Sequence, residues 1–218
     1  MADTHAPTAN ARIRGKRAQR GRAEKSAARR EAVLAAALDE FSARGFAATR
    51  IDDVARRAGV AKGTIYLYFR DKEALFQELV RTMLVPLIRA LEAPPPDVPI
   101  RALLQAFVDL FVREVYGTKR RDVLRLVMTE GPRFPKLAEF YYRTVVERAM
   151  TALRVLLERA AKRGELKHDA LMRFPQLLIA PGIVAITWSG LFDRFAPLDV
   201  AAMMRAHLDV LFSKGGVR

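Results

Sequence analysis

The residues of this chain best suited to chemistry lie between Ile51 and Phe69, in the stretch IDDVARRAGVAKGTIYLYF. Two short helical segments flank a turn at Gly59, an arrangement that presents its second helix to the major groove of duplex DNA. With Ile65 and Phe69 turned inward, steps of about 100° per residue put Gly63 and Leu67 outward, flanked by Thr64 and Tyr66. That surface offers a glycine open to close backbone approach, a hydroxyl, a phenol and an apolar group suited to a thymine methyl. Lys62 and Lys72 stand beside helix N-termini, where backbone amides already favour phosphate, and Tyr66 and Tyr68 add phenolic donors. Phosphate contacts of this kind orient a protein on DNA without reading its sequence.

No other chemistry has comparable material. The chain has no cysteine, so thiolate nucleophiles, disulfides and zinc-thiolate sites are excluded. Its three histidines, His5, His168 and His207, are scattered, and no nucleophile elbow, phosphate loop or metal-ligand pair is present. The expectation is a protein that is not an enzyme and needs no cofactor or metal.

Charge points the same way as the motif. Against 24 Asp and Glu stand 38 Lys and Arg, giving +14, and an anionic partner follows. Nine basic and two acidic residues lie between Met1 and Arg30, and residues 1–72 carry +8 of the excess. The basic N-terminus lacks the apolar stretch of a secretion signal, and the longest apolar run, Leu177 to Trp188, is broken by Pro181-Gly182. A cytoplasmic protein with no membrane partner is expected.

The elements that must position these residues are all helical. Residues 1–25, rich in Ala, Arg and Gly, read as a disordered basic arm, since they bury too little to offset their ordering entropy. From Ser26 a helix runs with Val33, Leu34, Ala37, Leu38 and Phe41 on one face, and Gly45 ends it. Thr49 is placed to cap a second helix with a buried stripe of Ile51, Val54, Ala55 and Ala58, Gly59 ends that helix, and Asp52 occupies the capping-box position. A third helix spans about Lys62 to Phe69, and Asp71 is placed to cap the fourth. Prolines and glycines then divide the rest into helices near 72–92, 98–116, 119–130, 135–163, 169–193 and 198–213, with Pro86 kinking the first of them. The fold class is all-α: an arm (1–25), a three-helix helix-turn-helix head (26–71) and a larger helical bundle (72–218).

The string TRIDDVARRAGVAKGTIYLYFRDKEAL, Thr49 to Leu75, closely resembles the DNA-binding signature of the tetracycline-repressor (TetR) family, and the likeness extends over roughly residues 29–77. The resemblance implies a DNA-binding transcriptional regulator: a homodimer that is released from double-stranded operator DNA by a small-molecule effector held in the C-terminal domain. By position, Lys62, Thr64, Tyr66, Tyr68 and Lys72 match the family's DNA contacts, and Thr49 matches a phosphate-contacting cap. Ala61 departs from the pattern, because many members place a capping serine there. A ligand-independent architectural DNA-binding protein is the alternative, and steep salt dependence without sequence preference would mark it.

For the effector, aromatic and methionine side chains on the middle helices suit an apolar cavity: Phe107, Phe111, Met128, Phe140, Tyr141 and Trp188, with Arg125 or Glu130 supplying polarity. Ordinary core packing explains any one of these as well. By analogy with the family, dimerisation falls to the last two helices. There Gly182, Ala185, Ser189 and Gly190 permit close approach, and Met204 and Leu208 give an apolar face; an intrachain core is the alternative.

Overall fold

The computed structural model describes residues 9–166 and 169–212, with side chains from residue 19 onward. Among these residues there are twelve α-helices and no strand. Backbone contacts divide the chain into two units, one ending at Leu75 and the other beginning at Phe76, so the division falls inside a helix.

The first unit holds α1 (Ala9–Ala48), α2 (Ile51–Ala58), α3 (Lys62–Tyr66) and the start of α4 (Lys72–Met83). Its core is the face that periodicity marks on α1, Val33, Leu34, Ala37, Leu38 and Phe41, all buried. Phe46, Val54, Ile65 and Phe69 complete it. Gly45 interrupts α1 at φ 76° and ψ 165°, a conformation that needs glycine. Gly59 ends α2 in the left-handed region, and the next amide, Val60 N–H, reaches back to Ala55 O at 3.0 Å. Asp71 caps α4 as expected, its Oδ1 accepting from Ala74 N at 2.7 Å.

Two expectations are corrected here. The portion of the arm from Ala9 to Lys25 is helical, the first part of α1, in keeping with the helix propensity of Ala, Arg, Lys and Gln. Residues 1–8 lie outside the described part. Nor does Thr49 cap α2. The N-cap is Arg50, with no side-chain bond, and the Thr49 hydroxyl instead donates to Gly45 O (2.8 Å) and Glu40 O (3.1 Å).

In the second unit, α5 (Val85–Glu92) follows α4 after a break at Leu84, so the expected helix over 72–92 is two helices. Pro86 sits in the first turn of α5, where its missing N–H costs nothing, so it starts a new helix rather than kinking an old one. Then come α6 (Ile100–Leu110), α7 (Arg120–Glu130), α8 (Pro135–Tyr141), α9 (Glu147–Lys162), α10 (Ala170–Arg173), α11 (Ala180–Leu191) and α12 (Val200–Phe212). A π-helical turn, Phe111–Tyr116, extends α6, and another, Tyr142–Val146, joins α8 to α9, giving the two long rods that spacing predicts. The expected helix over 169–193 is instead three pieces, because Pro175 opens a 3-10 turn (Pro175–Leu178) and Pro181 lies in the first turn of α11. Leu104, Val108, Leu153, Leu157, Met204 and Leu208 form the heart of this core. At one edge the Arg148 guanidinium clasps Glu92 through two bonds of 2.8 and 2.7 Å, joining α9 to α5. That hydrogen bonding holds the Glu92 carboxyl below its usual range.

Candidate nucleic-acid interface and ligand cavity

Helix α3 ends at Tyr66 rather than at Phe69, and with the turn that follows it shows the two faces that spacing predicts. Ile65 is fully buried and Phe69 nearly so, while Leu67 is 80% and Tyr66 49% exposed. A side chain at Gly63 would meet nothing within 4 Å, so packing does not demand that glycine and the backbone is open to a close partner. Thr64 is half-buried beside it. Together Gly63, Thr64, Tyr66 and Leu67 make a continuous outward surface held by an inward isoleucine and phenylalanine.

The remaining candidates of the head are engaged in its own structure. Lys62 Nζ is 2.9 Å from the Asp52 carboxylate on α2, and that hydrogen bond, with the charge behind it, raises the lysine pKa. Tyr68 Oη lies 2.9 Å from Ser26 Oγ, fastening the end of α3 to α1. Lys72 donates to the carbonyls of Phe46 (2.6 Å), Ala47 (3.0 Å) and Thr49 (3.0 Å), and its ammonium stands 4.6 Å from the Phe46 ring centre. An ammonium has three hydrogens, so a phosphate contact by Lys72 requires exchanging one of these bonds. Thr49 is 2% exposed, and the expected phosphate-contacting role does not fit a hydroxyl turned to carbonyls. Arg50, exposed at the N-cap of α2, is a cation that the sequence reading passed over. A basic residue preceding a helix was the available sign.

Within the second unit a cavity of about 310 Å³ opens between α5, α6, α7, α9 and α11. Phe107, Phe111, Met128 and Tyr141 lie on its wall, as expected. Arg125, Phe140 and Trp188 do not, which corrects their assignment. Arg125 pairs with Asp122 at 3.6 Å and packs beside Gly190, Phe140 stacks under the Arg81 guanidinium at 4.8 Å, and Trp188 donates to Ala196 O at 2.7 Å. Sequence reasoning missed the contribution of α5, although Leu84, Leu87, Ile88 and Leu91 recur at helical spacing along one face. It also missed Gly182, Ile183 and Ile186 on α11 as wall residues.

Comparison with known proteins decides the family. Residues 33–79 match the model of bacterial regulatory proteins of the tetR family, and residues 94–207, over half the chain, match the tetracyclin repressor-like C-terminal domain. The chain belongs to the TetR family. It is 37% identical over 83 residues to the HTH-type transcriptional regulator RutR of Escherichia coli strain K12, covering 38% of this chain and 39% of that one. The chain spans about two fifths of the length of the curated relatives it matches first. Among solved structures, a SmeT–triclosan complex superposes with a TM-score of 0.74 at 22% identity, covering 88% of this chain and 94% of that one. FadR from Bacillus subtilis in complex with stearoyl-CoA gives 0.69 at 22% identity, covering 84% and 97%. These likenesses establish a TetR fold over both units.

Against that family pattern, the missing cap at Ala61 is visible as geometry. Ala61 has the extended backbone of an N-cap (φ −68°, ψ 146°) and no side chain to accept from the first amides of α3. Ala61→Ser is therefore expected to stabilise the head by about 0.5–1 kcal/mol. Denaturant titration checks this, and an unchanged midpoint would show that the α3 amides are already satisfied.

Four of the residues assigned to the dimer face, Gly182, Ala185, Met204 and Leu208, also need correction. Ala185, Met204 and Leu208 belong to the intrachain core, and a Cβ at Gly182 would meet the Phe111 ring at 3.3 Å. These residues serve packing within one chain. A Cβ at Gly190 would come within 3.0 Å of Arg125 Nε, although the glycine itself is exposed. Ser189 is half-buried and donates to Ile186 O at 3.1 Å.

Proposed function

We propose that this TetR-family protein is a sequence-specific DNA-binding regulator, acting as a homodimer that a small molecule in its helical domain releases from operator DNA. The observation that carries the reading is α3, with Ile65 at 0% exposure beneath an outward Tyr66 and Leu67. Burying one side of a short helix while leaving an amphipathic phenol and a leucine in water has a cost, and a major-groove partner explains it. Gly63, Thr64, Tyr66 and Leu67 read bases, while Lys62 and Arg50 orient the head on phosphates.

The dimer uses α11 and the segment after it, through residues other than those the sequence suggested. Val184 and Leu191 are exposed and seven residues apart on one face of α11, and Phe192 and Phe195 continue that apolar surface beyond it. The effector reading draws on the cavity and on two proteins of like fold, SmeT with triclosan and FadR with stearoyl-CoA. The chain passes from α4 through Leu84 directly into the cavity wall of α5, a covalent route by which an occupied cavity biases the head. Footprinting on DNA upstream of the protein's own gene tests the function. Two protected half-sites about one helical turn apart are expected. Binding spread evenly over the duplex would instead favour an architectural role.

The exposed basic part of α1, with Arg20, Arg22, Lys25 and Arg29, extends the electrostatic footprint. Each phosphate it contacts adds about 0.9 to the slope of log affinity against log salt. Deleting residues 1–24, which removes Arg20 and Arg22, is expected to flatten that slope by about 1.8, from two contacts at that increment each. A slope equal to that of the full chain would assign the segment to solvent.

A further inference from the structure

The wall of the cavity holds no charged side chain, and its one hydroxyl is that of Tyr141. An ion entering such a space loses its hydration and finds no countercharge, whereas a hydrocarbon or aromatic surface loses nothing. Burial pushes the Tyr141 phenol up to about 12, so at any working pH it offers a neutral hydroxyl and never a charge. Volume limits the occupant too. A space of about 310 Å³ suits a compact ligand of a ring or two.

Two backbone features mark this space as built for an occupant. Each of the two long rods carries its π-helical turn at the wall: Phe111 and Val115 come from the first, Val145 and Val146 from the second. A π turn widens the helix and shifts side-chain phase, at the expense of regular hydrogen bonding, and such turns concentrate at functional sites. Opposite them, Gly182 in the first turn of α11 leaves room for the Phe111 ring, which a Cβ would meet at 3.3 Å. A Cβ at 182 requires that ring to give by a few tenths of an ångström, and a branched side chain requires more.

We infer that the cavity accepts a neutral, compact lipophile with at most one hydroxyl-like group, paired to Tyr141, and that Gly182 sets the available depth by fixing where Phe111 lies. This rests on the effector reading above, and names the ligand class that reading leaves open. A carboxylate or phosphate that must sit inside the cavity is rejected by the same wall.

Three probes of one shape test it by calorimetry on the full-length protein: biphenyl, para-phenylphenol and para-phenylbenzoate. The phenol is expected to bind best and the carboxylate about 100-fold more weakly or worse, about 2.8 kcal/mol at 1.4 kcal/mol per tenfold. Tyr141→Phe should bring the phenol down to the level of biphenyl, a loss of roughly 3–10-fold, as for one neutral hydrogen bond. Gly182→Val should abolish binding of all three, and the double variant Gly182→Val/Phe111→Ala should restore it, which separates a filled cavity from a misfolded chain. Equal affinity for phenol and carboxylate, no binding of any probe, or full binding by Gly182→Val overturns the inference. Tight phenol binding that leaves DNA affinity unchanged upholds the ligand class and counts against the effector reading alone.

Discussion

Lys72→Met is expected to loosen the head by about 2–3 kcal/mol, because three carbonyl bonds to one ammonium and its contact with the Phe46 ring vanish together. Methionine keeps the length and helix propensity of lysine, so the loss isolates the charged group. Against a typical domain stability of roughly 5–15 kcal/mol the effect is large. Amide exchange at the core amides of α1 and α2 should quicken by about 30–150-fold, the equivalent of 2–3 kcal/mol at 1.4 kcal/mol per tenfold. A lysine acting only as a phosphate anchor would leave exchange untouched and reduce the salt slope by about 0.9.

The second large effect belongs to α3. Tyr66→Ala is expected to weaken operator binding by roughly 5–150-fold, the equivalent of 1–3 kcal/mol for a lost base-reading contact. Leu67→Ala should cost less, since it removes apolar contact without a hydrogen bond. Both side chains stand in water, so thermal melting should stay within about 0.5 kcal/mol of the parent, as for other surface changes. Gel-shift titration beside a melting curve reads both quantities. Affinity retained in both variants would remove α3 from the interface.

Much of the head was legible because helical periodicity leaves little choice. Val33, Leu34, Ala37, Leu38 and Phe41 recur at 3.6-residue spacing, and all five are buried. The same rule placed Ile65 inward and Leu67 outward. Capping was less legible, since a threonine between two helices has carbonyls and amides within reach, and only the tertiary path decides. Thr49 turned to Gly45 O and Glu40 O, while Asp71, with a carboxylate that can only accept, took the amide.

In the helical domain, spacing located the rods but not their phase. Phe140 and Tyr141 are adjacent, yet a turn of about 100° sends one under Arg81 and the other to the cavity. The π-helical turns add a residue to each rod, and no local composition announces them. The small residues of α11 were read for a partner helix, but the close approach that Gly182 permits is taken up inside the chain, by Phe111. Small size shows that something comes near. It does not show which chain it comes from.

The central claim, that an outward face on α3 reads DNA sequence, is tested most directly by one ratio. The affinity of the full-length protein for the site protected upstream of its gene is to be measured at physiological salt against a scrambled duplex of equal length and composition. The account predicts a preference of roughly a thousandfold or more for the protected site. A ratio near one, with both affinities falling equally steeply as salt rises, would contradict it.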